Sequence, residues 1–149
     1  MPVTKVKTKW ASGNLVFTDE SGNTIMTFNA DDKTIEANFT QEIEHHTAAD
    51  ALTVAETGSL HTNLGATGAV TLTLPQDAEA NCFFEFGVMA AQELRITPGA
   101  AGAIYVNGAK QADNKYISAD DEGESLKLVA DGNGDWIALY TTGTWTVET

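Results

Sequence analysis

Cysteine, proline and basic residues are all scarce in this chain. The single cysteine, Cys82, rules out a disulfide within the chain. It lies in the apolar run Cys82-Phe83-Phe84-Glu85-Phe86, which reads as a buried thiol in a core strand. No stretch of about 18 apolar residues occurs, so no membrane-spanning helix is expected. The opening Met1-Pro2-Val3-Thr4-Lys5-Val6-Lys7 lacks the apolar stretch of a signal peptide, and no export signal is expected. Eight basic residues stand against 21 acidic ones, a formal charge of −13. Three of the eight, Lys5, Lys7 and Lys9, precede every acidic residue, so the rest of the chain is more acidic still. Such a body repels phosphate and anionic lipid, which argues against nucleic acid or membrane as partner.

Catalytic signatures are missing too. There is no Gly-x-Ser-x-Gly elbow and no glycine-rich phosphate loop ending in Lys-Ser or Lys-Thr, and Cys82 has no base near it in sequence. A carboxylate pair drawn from distant strands is compatible with 21 acids, yet nothing points to one. The expectation is a protein that is not an enzyme and needs no cofactor.

What the chain does have is short strand-like runs. Leu15-Val16-Phe17-Thr18 and Thr24-Ile25-Met26-Thr27-Phe28 flank a Ser21-Gly22-Asn23 turn and predict a β-hairpin. A second turn at residues 29–33 leads to a short strand at 34–37. Before the hairpin, Lys5, Lys7 and Lys9 recur at every second position, on one face of an extended arm. Residues 38–51 are polar, with Ile43 almost the only large apolar side chain, and read as a connector with at most a helical turn. From residue 52 onward ten strand-like runs follow, at 52–55, 59–62, 69–74, 83–89, 93–97, 103–107, 116–118, 124–130, 136–141 and 145–147. Several alternate strictly, as in Val70-Thr71-Leu72-Thr73-Leu74. The fold class is therefore all-β: an antiparallel β-sandwich or barrel-like body over 52–149, preceded by an arm and hairpin over 1–37.

Three constellations invite chemical readings. Asp131-Gly132-Asn133-Gly134-Asp135 imitates the start of a calcium loop, but Trp136 and Thr142 stand where that loop needs glycine and glutamate, so a hairpin turn is expected. His45 and His46, as neighbours in an extended segment, point oppositely. No Cys, Asp or Glu spacing completes a site around them and His61, so the three histidines read as exposed and polar, with no metal expected. Trp10, Trp136, Trp145, Tyr105, Tyr116 and Tyr140 offer a sugar-binding face. Trp136 and Tyr140, four apart, are expected on one side of a strand.

One resemblance runs along much of the chain. Gly68-Ala69-Val70-Thr71-Leu72-Thr73-Leu74-Pro75, the aromatic strand 83–88 and Leu94-Arg95-Ile96-Thr97-Pro98 carry its first part. Gly123-Glu124-Ser125-Leu126-Lys127-Leu128-Val129-Ala130-Asp131-Gly132-Asn133-Gly134-Asp135-Trp136 and Gly143-Thr144-Trp145 continue it, and Gly13-Asn14-Leu15-Val16-Phe17 with Ser21-Gly22-Asn23 opens it. In pattern and order these stretches resemble phage head-decoration, head-fibre and tail-fibre domains. The resemblance implies a virion protein on the outer capsid surface, trimeric and acting through contact alone. Its partners would be the major capsid protein and copies of itself. Lacking a long shaft repeat, the chain fits capsid decoration better than a fibre; the alternative is a fibre adhesin that recognises a host glycan. The expected contact residues are Lys5, Lys7, Lys9, Trp10, Leu15, Phe17, Ile25 and Phe28, because an arm and hairpin this small need support from a partner.

Overall fold

In a computed structural model, which describes residues 6–31, 33–37 and 41–149, the chain divides into two units, Met1–Thr40 and Gln41–Thr149. The first is an antiparallel meander in the order β1-β2-β3-β4, with β1 Lys7–Ala11, β2 Asn14–Thr18, β3 Thr24–Asn29 and β4 Thr34–Ala37. The predicted hairpin and the strand at 34–37 are both present. From Lys7 onward, however, the expected free arm is a paired strand, joined to β2 through Ser12-Gly13. Both turn residues have positive φ, 51° and 81°, the geometry whose twist matches that of the strands it joins. The β2–β3 turn is held by Asp19, whose Oδ1 accepts from the Asn23 amide and whose Oδ2 accepts from Asn23 Nδ2, each at 2.8 Å.

The second unit is a β-sandwich. A seven-stranded sheet runs β12-β11-β15-β14-β9-β7-β5 and a five-stranded sheet β16-β13-β10-β8-β6. In chain order the strands are β5 Ile43–His45, β6 Asp50–Ala51, β7 Leu60–Thr62, β8 Val70–Thr73, β9 Phe83–Gly87, β10 Leu94–Thr97, β11 Ile104–Val106, β12 Ala109–Lys110, β13 Ile117–Ala119, β14 Ser125–Ala130, β15 Trp136–Thr142 and β16 Thr146–Val147. From β5 to β11 the chain changes sheet at every strand. Consequently β5, β7 and β9 stack in parallel in one sheet, and β6, β8 and β10 in the other. The β11–β12 pair and the later strands β13 to β16 add mostly antiparallel pairs.

Three expectations are corrected here. The sandwich is mixed rather than antiparallel, because parallel neighbours need a crossover and the opposite sheet's strand supplies it. The described part of the supposed connector, from Gln41, carries β5 and β6 and belongs to the sandwich. The run at 52–55 is no strand; Val54–Glu56 forms a single 3-10 turn instead.

Alternation fills the core from both sheets. Val70, Leu72, Leu94, Ile96 and Ile117 project from one, and Phe84, Phe86, Ile104, Leu128 and Trp136 from the other, all essentially fully buried. Phe84 packs against Trp136 at 5.7 Å between ring centroids and against Phe86 at 6.5 Å. The turns between sheets are tied by buried polar side chains. Asn63 Oδ1 accepts from the amides of Met89 and Ala90, while its Nδ2 donates to the carbonyls of Ala90 and Gln92. Glu124 accepts from the amides of Asp120, Asp121 and Thr144.

Two substitutions probe this frame. Asn63→Ala strips partners from two amides and two carbonyls at once, and should lower the free energy of unfolding by about 2–4 kcal/mol in a urea titration. Gly102→Ala places a methyl group onto the Gly134 carbonyl and close to that of Pro98. Because both obstacles are backbone, it should cost about 1–3 kcal/mol in the same assay, whereas Gly68→Ala, with open space around it, should cost less than either.

Candidate attachment surface

The first unit places its side chains on two unlike faces. Register aligns Trp10 with Leu15, Leu15 with Phe28 and Phe28 with Ile35, so one apolar row crosses all four strands. Beside it Thr8, Phe17 and Met26 are aligned in the same way. Phe17 and Phe28 meet edge to face at 5.7 Å. Trp10 is 74% exposed and Ile35 62%, and Phe28 is exposed as well. The opposite face carries Lys7, Lys9, Val16, Thr18 and Thr27, with Val16 and Thr18 buried. A sheet whose apolar face is the exposed one presents that face for burial against something else.

Four of the eight expected contact residues converge on this face. Trp10, Leu15, Phe17 and Phe28 share it. Lys7 and Lys9 do alternate together as expected, but on the other face, where Lys7 Nζ donates to the Glu20 carbonyl at 3.2 Å. Ile25 falls at a bulge: Phe17 pairs with Met26 and Thr18 with Thr24, which leaves Ile25 without a register partner. Lys5 lies outside the described residues. Ile35 and Met26 were missed, although carrying the hairpin's register through the turn at 29–33 puts both in line. Hydrogen bonds from the Asn23 side chain and then its backbone hold the Asp19 carboxyl below its ordinary range.

Of the aromatic residues that offered a sugar-binding face, which core packing explains equally well, two tryptophans lie in the core. Trp136 is only 1% exposed and Trp145 is buried, its Nε1 donating to the Ser125 carbonyl at 3.1 Å. Tyr140, by contrast, is 73% exposed. Trp136 and Tyr140 point to opposite sides because the β14–β15 register slips between Lys127 and Leu128, leaving Leu139 unpaired. A one-residue slip flips every later side chain.

Turn and acid candidates are structural. Asp131 Oδ1 accepts from the amides of Asn133 and Asp135, closing the β14–β15 hairpin. Asp135 accepts from Lys110 Nζ at 2.6 Å and from the Ala103 amide at 2.9 Å, and the lysine first and foremost holds its carboxyl below the ordinary range. Cys82 sits just ahead of β9 and is half-buried, packed against the core.

The histidines split as their adjacency requires, with His45 exposed and His46 buried. They are not all polar surface, however. His46 and the fully buried His61 meet at 2.9 Å, from Nε2 to Nδ1. Burial, followed by the proximity of His46, holds the His61 imidazole below its ordinary value. Nor does the absence of a third ligand hold. Parallel pairing of β5 with β7 sets Glu44 directly opposite His61, a neighbour that spacing along the chain conceals. No protein-family model matches the chain, and no curated protein matches it either.

Proposed function

We propose that this protein is a phage capsid decoration protein: a homotrimer that binds the major capsid protein on the outer surface of the assembled head and stabilises the shell by contact, without catalysis. One observation carries the reading. The row Trp10, Leu15, Phe28 and Ile35 crosses a single four-stranded sheet, with all but the half-buried Leu15 exposed, while that sheet has no second layer among the described residues of its own unit. A lone sheet of this size gains its stability from whatever covers it. The resemblance, in pattern and order, of the sequence stretches from Gly13 to Trp145 to phage decoration and fibre domains supports the choice of partner.

Energetics suit the role. Covering a large apolar side chain contributes about 1.5–3 kcal/mol, an upper figure here because part of each is already shielded. Tryptophan, here Trp10 at the edge-strand end of the row, is among the residue types that dominate interface energy. Three such faces in a trimer multiply a modest contact, and a ligand that binds only the assembled shell shifts assembly towards it by mass action. The acidic body keeps the bound protein from competing for packaged nucleic acid.

The test uses the full-length chain with Trp10→Asp and Ile35→Asp together. Mixed with heads that lack the protein and sedimented, the wild type should travel with the particles in stoichiometric amounts. The double variant should bind at least about 100-fold more weakly, while its sandwich melts at the wild-type temperature. Equal co-sedimentation of the two proteins would overturn the assignment of this face. Failure of the wild type to bind any head would overturn the function.

A further inference from the structure

The sandwich holds a buried cluster that attachment does not explain. Glu44 Oε2 lies 4.0 Å from His46 Nε2 and 3.8 Å from His61 Nδ1, and those two nitrogens are 2.9 Å apart. Glu44 and His46 sit two apart at β5, and His61 is on the parallel neighbour β7. A point in the plane of these atoms and equidistant from all three lies about 2.1 Å from each, which is the bond length of zinc to imidazole nitrogen and carboxylate oxygen.

The outer hydrogen bonds fix which nitrogens are free. Ser59 Oγ donates its one proton to the Glu56 carbonyl, so at 2.7 Å from His61 Nε2 it accepts from that nitrogen. His61 Nδ1 is therefore the bare nitrogen. On the other ring, His46 Nδ1 faces the Asp50 carboxylate at 3.4 Å, which calls for a proton there. Without an ion, His46 Nε2 donates to His61 Nδ1 at 2.9 Å; with the ring proton moved to Nδ1 beside Asp50, its Nε2 lone pair is released for an ion. A divalent ion placed between the rings would replace the proton they share and draw in the Glu44 carboxylate as a third ligand. Histidine held from behind by a carboxylate or hydroxyl is the second shell that metal-binding histidines recruit.

We infer that Glu44, His46 and His61 form a binding site for a divalent first-row transition ion of the zinc class. Two imidazoles and one carboxylate favour such an ion over magnesium or calcium, which prefer all-oxygen sets. The Glu44 side chain is 44% exposed, so the fourth position opens to water. The ion's role is to fasten β5, a three-residue edge strand, to β7 and so close the end of the seven-stranded sheet.

Full-length protein stripped with chelator and titrated with zinc chloride should take up one equivalent by calorimetry, and its unfolding midpoint should rise by at least about 5 °C. Glu44→Gln, at a half-exposed position that leaves the fold intact, should weaken binding at least about tenfold. Asp50→Asn should weaken it about 10- to 100-fold. His45→Ala, which removes the exposed ring bonded to Thr62, should leave affinity unchanged. No zinc uptake, or uptake that Glu44→Gln leaves intact, overturns the site. Uptake that falls with His45→Ala instead assigns the ion to surface histidine and also overturns it.

Discussion

In the sandwich, strands of two to seven residues must each deliver a face of side chains to one shared interior before the chain crosses to the other sheet. Too short to be stable singly, such strands depend on stacking: β7 lies between β5 and β9, and β8 between β6 and β10. The interior they fill, from Leu72 and Ile96 on one side to Phe84 and Trp136 on the other, fixes every register, since a slip of one residue would turn an apolar row outward. Each crossing must also satisfy backbone groups removed from both ladders. Asn63 and Glu124 do so from buried positions, each holding several backbone groups of neighbouring turns.

Much of this was legible because alternation and turn chemistry are local. Val70, Leu72 and Leu74 announce a strand with one buried side, and the glycine and asparagine punctuation bounds it. Strand direction was not legible, since a period of two looks the same in parallel and antiparallel pairs. Neither were β5 and β6, where strands of three and two residues, each with a single apolar side chain, are too short to show a pattern. The flipped Tyr140 shows the same limit more sharply. Trp136 and Tyr140 keep the spacing of one face, but the slip opposite Lys127 and Leu128 is decided by the pairing of β14 with β15.

The candidate attachment face divides along the same line. Trp10, Leu15, Phe17 and Phe28 were legible as hairpin residues in need of cover, yet their alignment with Ile35 in one row depends on the two pairings that bring β1 and β4 into the sheet. Those pairings also separate Lys7 and Lys9 from the apolar row. Under the proposed attachment, the aromatic and aliphatic face would hold the partner, and the lysines on the opposite face would stay in solvent.

The histidine cluster follows from the parallel winding itself. In an antiparallel hairpin, residues facing each other across a tight turn are close in sequence, and a ligand set is visible as a spacing motif. Parallel stacking instead sets Glu44 opposite His61 after a whole excursion through the other sheet, with His46 two residues farther along on the same side. The rings of Phe84 and Phe86 lie within 6 Å of His61 and exclude water from its inner side, so its polar atoms must be answered by the protein or by an ion. Ser59 answers Nε2. His46 Nε2 answers Nδ1 at 2.9 Å, and the proton they share lies beside the Glu44 carboxylate where a bound ion would take its place.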